Sequence, residues 1–137
     1  MKRPGTKPQP RGELTLQLIP LSSDTNANGD VYAGWLVQHM DLAAASAAGR
    51  LAQGRTATVA LDRMEFLSPV RVGSEVSFHT ALEDVGSSSM KIHVEVWTRD
   101  PTAQSPRKVT EALFVFVAID DKGRIRQVPE TAGPLSR

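Results

Sequence analysis

The chain has 137 residues, 40% of them hydrophobic, and a formal net charge of +1, enough for one domain with a real core and too little for a multidomain enzyme. Lysines and arginines are spread along it and only the first dozen residues are noticeably basic (Lys2, Arg3, Lys7, Arg11), so nothing argues for a nucleic-acid groove. Cysteine is absent, which removes disulfides, thiolate nucleophiles and cysteine-based metal sites. No apolar run approaches the roughly 20 residues that span a bilayer, and no signal-peptide core opens the chain; no membrane contact and a cytoplasmic protein are expected.

Residues 1–12, rich in proline, glycine and basic side chains, have too little to bury and predict a disordered tail. Residues 13–18 (Glu-Leu-Thr-Leu-Gln-Leu) alternate strictly, the period of a half-buried strand, and Pro20 closes it. Asp24 to Asp30 is an Asp/Asn/Gly loop. From Gly34 to about Gln53 the alanine-rich run predicts a helix about 30 Å long, with Gly54 as its stop.

The remainder reads as strands. Residues 56–66 are rich in β-formers and end at Ser68-Pro69; residues 75–83 alternate; Gly86-Ser87-Ser88 turns the chain. Met90, Ile92, Val94 and Val96 then alternate with Lys91, His93, Glu95 and Trp97, which puts Trp97 on the polar register, at a subunit contact or a sheet edge. Residues 109–119 have a centre (Leu113 to Val117) apolar on both faces, which predicts a strand covered on both sides. Beyond Arg124 the chain reads as poorly packed, with 129–137 a flexible tail to a domain spanning 13–128. The order is α+β: a strand, one long helix, then four strands. One helix cannot cover both faces and the edges of such a sheet, so a homo-oligomer is implied.

On a helical wheel Gln38, His39, Ser46, Arg50 and Gln53 share the solvent sector, whereas Asp41 falls among Val37, Ala44, Ala45 and Ala48. A carboxylate on an apolar face is costly unless something uses it. It is therefore a candidate functional group; the plain alternative is an aspartate bonded to a neighbouring loop. Asp30 alone reads as a cap or turn residue, and Asn28-Gly29 alone as a turn. Asp24-x-Asn26-x-Asn28-Gly29 fits the first half of a calcium-binding EF-hand loop, but Trp35 stands where the loop needs a bidentate glutamate. His39, His79 and His93 lie on predicted polar faces without metal-ligand spacing, so no metal is expected, and no Gly-x-Ser-x-Gly elbow is present.

With these elements placed, Asp24-Thr25-Asn26-Ala27-Asn28-Gly29-Asp30-Val31-Tyr32-Ala33-Gly34-Trp35-Leu36, followed by Met40-Asp41, resembles the signature of hotdog-fold acyl-CoA thioesterases of the bacterial YciA type. Gly54-Arg55, Met64 to Val70, Val72-Gly73, Ser87 to Trp97 and Thr110 to Phe114 stand where that family has similar segments. The resemblance covers roughly residues 13–128. It implies a curved antiparallel sheet wrapped around the helix, subunits paired edge to edge, and dimers assembled in threes into hexamers.

The resemblance further implies hydrolysis of acyl-CoA to free CoA and a carboxylic acid, with Asp41 as the catalytic carboxylate, either as general base on water or as nucleophile through an anhydride. The first-turn amides after Tyr32-Ala33-Gly34 would form the oxyanion hole, Gly34 letting the ligand approach the main chain. Asp30 would bind the thioester or the water from the opposite subunit, and Asn28, Gly29, Tyr32, Ala33, Arg55 and Ser88 would contact substrate. No cofactor is implied, coenzyme A being part of the substrate; its phosphates could go to any of Arg55, Arg63, Arg71, Lys91, Arg99 and Lys108. Ala33 stands where the family commonly has the first glycine of a pair, which narrows the approach to the helix start and bears on acyl preference. The alternative on the same scaffold is a non-catalytic acyl-CoA binding or sensing module. A hydratase reading lacks a well-placed histidine.

Overall fold

The computed structural model describes residues 8–130. One long helix, α1 (Ala33–Ala52), lies against a five-stranded sheet made of β1 (Glu13–Leu18), β2 (Thr56–Phe66), β3 (Glu75–Val85), β4 (Ser89–Arg99) and β5 (Arg107–Ala118). The strands lie in the order β1-β3-β4-β5-β2, and every pairing is antiparallel. This is the α+β hotdog arrangement the sequence implied, with element ends within a few residues of those expected.

The alanines explain how closely helix and sheet meet. Met40, Ala44 and Ala48 are fully buried on one side of α1, against Phe78 of β3, Ile92 of β4, and Phe114 and Phe116 of β5. Small helix residues let the aromatic side chains of the sheet fill the gap without voids. At its C-terminal end the helix is stopped by Gln53, which takes the left-handed conformation (φ 52°), one position before the glycine expected to do so. The guanidinium of Arg126 donates to the carbonyl of Ala52 at 2.8 Å, occupying one of the terminal acceptors. No described helix is long and apolar enough to cross a membrane.

Several expectations are corrected. The N-terminal tail does not run to Gly12 as free chain: the Arg11 backbone N–H donates to Glu95 at 3.1 Å, and its guanidinium pairs with Glu83 at 2.6 Å. Residues 124–128 are also packed, since Arg126 N–H donates to Ala118 and the buried Val128 donates to Ser87. Residues 1–7 and 131–137, most of both expected tails, lie outside the described residues.

The doubly apolar centre of β5 is buried on one face only. Ala112, Phe114, Phe116 and Ala118 enter the core, while Leu113, Val115 and Val117 are half-buried on the outer face. Trp97 is 5% exposed, with its indole N–H donating to Glu95 at 2.9 Å. Its alternation was read correctly, but the chain leading into β1 folds over that register.

Candidate active site

Asp41 is the only acidic residue of α1. It is half-buried and lies at the border of the core, not within it, with Val37 and Ala45 half-buried beside it and Leu42 54% exposed. Its Oδ1 accepts a hydrogen bond from the hydroxyl of Thr58 at 2.7 Å. Thr58 is on β2, opposite Phe116, so its side chain points to the helix side of the sheet. The aspartate thus faces the edge strand, which carries exposed apolar side chains along its length: Leu61 at 43% and Phe66 at 49%, with Leu67 at 59% just beyond it.

The other half of the site is the start of the helix. Tyr32 is the N-cap residue and makes no side-chain cap bond; serine, threonine or aspartate there would satisfy a first-turn amide. The N–H groups of Ala33 and Gly34 have no acceptor among the described residues, and a side chain built on Gly34 would meet nothing within 4 Å. Beside them opens a cleft of about 370 Å³ whose apolar lining includes Ala33, Leu36, Phe66 and Val70. Bare amides at the positive end of a helix next to an apolar cleft are suited to a polarised carbonyl with a hydrocarbon tail.

The loop before the helix is braced internally. The Asn26 side-chain oxygen accepts the N–H of Asn28 at 2.9 Å and of Asp30 at 3.1 Å, and the Asp24 carboxylate accepts the N–H of Leu21 at 2.9 Å. Oxygens committed to backbone donors in this way make a turn, not a calcium shell. Gly29 sits at φ 81°, a conformation that favours glycine. Asp30 is not the helix cap, a position Tyr32 holds; its Oδ1 is buried without a hydrogen bond, and Arg71 lies 3.5 Å away.

Arg55 and Ser88 are not brought to this end. Arg55 follows the C-terminus of α1, where its guanidinium donates to the carbonyls of Asp120 and Asp121, and the Ser88 carbonyl accepts the N–H of Ala118. A helix of 20 residues separates the two ends by about 30 Å. Within one chain the expected substrate residues therefore form two groups: Asn28 to Gly34 at the helix start, and Arg55 with Ser88 at its far end.

The histidines differ from expectation. His39 is not in solvent: its Nδ1 is 2.7 Å from the Trp35 carbonyl and its ring lies 4.3 Å from that of Trp35. His79 is lowered from its ordinary pKa by burial, which outweighs the opposing pull of Glu95. His93 joins Glu95 and Glu111 in a group whose ligand atoms lie within 4.8 Å of one another, a constellation invisible to spacing because Glu111 comes from the neighbouring strand. Lys108 already contacts both Glu111 and Glu95, so these carboxylates have an ammonium as their counterion and the group does not favour a metal.

Compared with known proteins, residues 28–104 match the sequence profile of the Thioesterase superfamily. The chain belongs to that superfamily. It is 42% identical over 124 residues to the acyl-CoA thioester hydrolase YciA of Salmonella typhimurium, covering 88% of this chain and 92% of the relative. Among solved structures, the hexameric thioesterase y2039 from Yersinia pestis superposes with a TM-score of 0.85 at 43% identity, over 89% of this chain and 99% of the other. A hexameric broad-specificity acyl-coenzyme A thioesterase gives 0.84 at 41% identity, over 90% of this chain and 85% of the other.

Proposed function

We propose that this thioesterase hydrolyses acyl-CoA to free CoA and a carboxylic acid, that residues 13–128 carry the reaction, and that Asp41 is its catalytic carboxylate. The observation that carries the assignment is the bond from Thr58 to Asp41 in an apolar surface strip, on the same helix as a bare, cleft-lined N-terminus. In this reading the Ala33 and Gly34 amides hold the thioester oxygen as it becomes an oxyanion, and the acyl chain lies in the cleft. Water adds to the carbonyl carbon as its proton passes to Asp41; the tetrahedral intermediate then expels the CoA sulfur, which takes that proton. No resident cofactor enters this scheme.

Helix geometry limits how the two halves cooperate. Gly34 and Asp41 are on one side of α1 but about 10 Å apart along its axis. A single water bridges only about 6 Å between a carboxylate and a carbonyl carbon, so neither Asp41 nor a water it holds reaches a carbonyl bound at Gly34 of the same helix. Whether as general base or as nucleophile, the Asp41 that acts there belongs to a second copy.

A second copy is what the surface around Asp41 calls for. β2 ends the sheet and leaves a row of unpaired backbone groups, beside the exposed side chains of Leu42, Leu61, Phe66 and Leu67. Covering this strip would exclude water from Asp41 and strengthen its interactions. We place the homodimer contact here, with three dimers forming the hexamer that the Yersinia pestis relative also forms. The same contact is the route by which Arg55 and Ser88 of one copy would approach the helix start of another, and by which Asp30, Asn28, Gly29 and Tyr32 would share a substrate. A cytoplasmic location completes the reading.

Release of free thiol from a panel of acyl-CoAs tests the activity. Turnover by the wild-type protein is expected; tight binding without turnover would contradict it and favour the acyl-CoA binding module.

A further inference from the structure

One arginine behind the cleft holds three separate stretches of chain. Arg107, the first residue of β5, reaches into the loop of residues 67–74 that joins β2 to β3. Its Nη2 donates to the Pro69 carbonyl at 2.8 Å, its Nε to the Ser68 hydroxyl at 3.3 Å and its Nη1 to the Asp100 carboxylate at 2.9 Å. The other oxygen of Asp100 accepts the hydroxyl of the fully buried Ser74 at 3.1 Å. The loop is thus tied near both ends to a single side chain, directly at Ser68 and Pro69 and through Asp100 at Ser74. An exposed ion pair alone contributes little; the planar fork of an arginine, with donors aimed at three acceptors, fixes geometry as a lysine ammonium does not.

The position of this loop matters to the substrate. Ser68, Pro69 and Val70 line the same cleft beside the helix start as Ala33 and Leu36. The Val70 carbonyl accepts the N–H of Val31 at 2.8 Å, and the Gly29 carbonyl accepts the N–H of Val72 at 3.0 Å, so this wall is joined to the stretch that leads into the N-cap Tyr32. Arg107 stands outside the lining and acts on it from behind. Pro69 and Val70 present carbon to the cleft, so the wall acts on hydrocarbon and not on the thioester. A wall that retreats by about 0.5–1 Å forfeits a quarter to a half of each dispersion contact it makes.

We propose that Arg107 is a positioning residue that sets acyl-chain selectivity by holding the Ser68 to Val70 wall against the hydrocarbon of the substrate. The inference rests on the reading in which the acyl chain lies in this cleft, and its test does not need turnover. The full chain is titrated calorimetrically with the non-hydrolysable thioethers S-ethyl-CoA and S-hexyl-CoA. Wild type should bind the hexyl compound more tightly, by up to about fourfold for each methylene packed in the cleft. Arg107→Gln and Arg107→Lys, at thermal stabilities measured on the same samples, should each lose at least about tenfold in hexyl affinity and less than about threefold in ethyl affinity. Arg107→Lys keeps the charge beside Asp100 and loses the fork, so it serves where Arg107→Gln does not fold. Arg124→Gln, which removes an exposed pair with Asp120 at 3.3 Å at the far end of the helix, should match wild type. In thiol-release assays the loss should appear as a raised KM for hexanoyl-CoA with kcat retained. Selective loss of hexyl affinity without any thiol release supports the Arg107 assignment and contradicts the hydrolase reading. Equal loss on both thioethers, undiminished hexyl affinity in the folded Arg107 variants, or a wild type that does not distinguish the two thioethers overturns the proposal.

Discussion

The hydroxyl of Thr58 donates to Oδ1 of Asp41 at 2.7 Å, joining the edge strand to the central helix at the only carboxylate the helix carries. The bond fixes which oxygen of Asp41 remains free and in which direction it points. Thr58 acts through Asp41 and is a positioning residue in the proposed mechanism.

Replacing Thr58 by valine keeps the shape and removes the donor. A hydrogen bond to a charged group contributes about 1.5–3 kcal/mol, so a drop in kcat of about ten- to a hundredfold is expected, with KM little changed and Thr58→Ser restoring most of the rate. Steady-state kinetics of the two variants check this. Wild-type kcat in Thr58→Val would show that the bond positions nothing.

Leu61 lies on the helix side of β2, opposite Phe114, yet is 43% exposed. If a second copy covers it, Leu61→Asp introduces a charge that must be desolvated on assembly. Light scattering should show the variant shifted to monomer at micromolar concentration, with thiol release falling together with assembly. An unchanged oligomer would place the interface elsewhere.

Glu95 is 6% exposed. Burial pushes its carboxyl up, but the Trp97 indole, the Arg11 amide, Lys108 and His93 together outweigh burial and hold it below its ordinary value. A carboxyl depressed in the folded state contributes stability that is fully present above its unfolded-state pKa and is lost as pH falls through the folded one. Glu95→Gln should therefore cost about 1–3 kcal/mol near neutral pH, and its deficit should shrink on acidification from the ordinary glutamate range downward. Urea unfolding of both proteins, followed by tryptophan fluorescence, measures this; a deficit that grows on acidification would contradict the assignment.

Periodicity made the fold legible wherever one residue faced one environment. The alternation of Met90 to Trp97 and the alanine run of α1 carried their own burial pattern, and the loop and helix start were placed by their polar and glycine residues. What could not be read were relations set by strand pairing. Thr58 meets Asp41, and Glu111 meets His93, only because β2 and β5 lie where they do; no sequence spacing encodes either. Alternation assigns Trp97 to the polar register but does not show that Glu95, on the same register, accepts both its indole N–H and the backbone N–H of Arg11, from a stretch whose composition suggests free tail. Asp41 was expected deeper than it lies because a helical wheel ranks neighbours on the helix and does not show where the sheet ends.

The central claim is that Asp41 performs the chemistry. Its most direct test is thiol release from acyl-CoA by Asp41→Asn against wild type, with circular dichroism and oligomeric state measured on the same samples. A folded, assembled variant whose kcat has fallen by at least about a hundredfold, the usual contribution of a positioned general base, is the predicted result. Full activity in that folded variant would contradict the account.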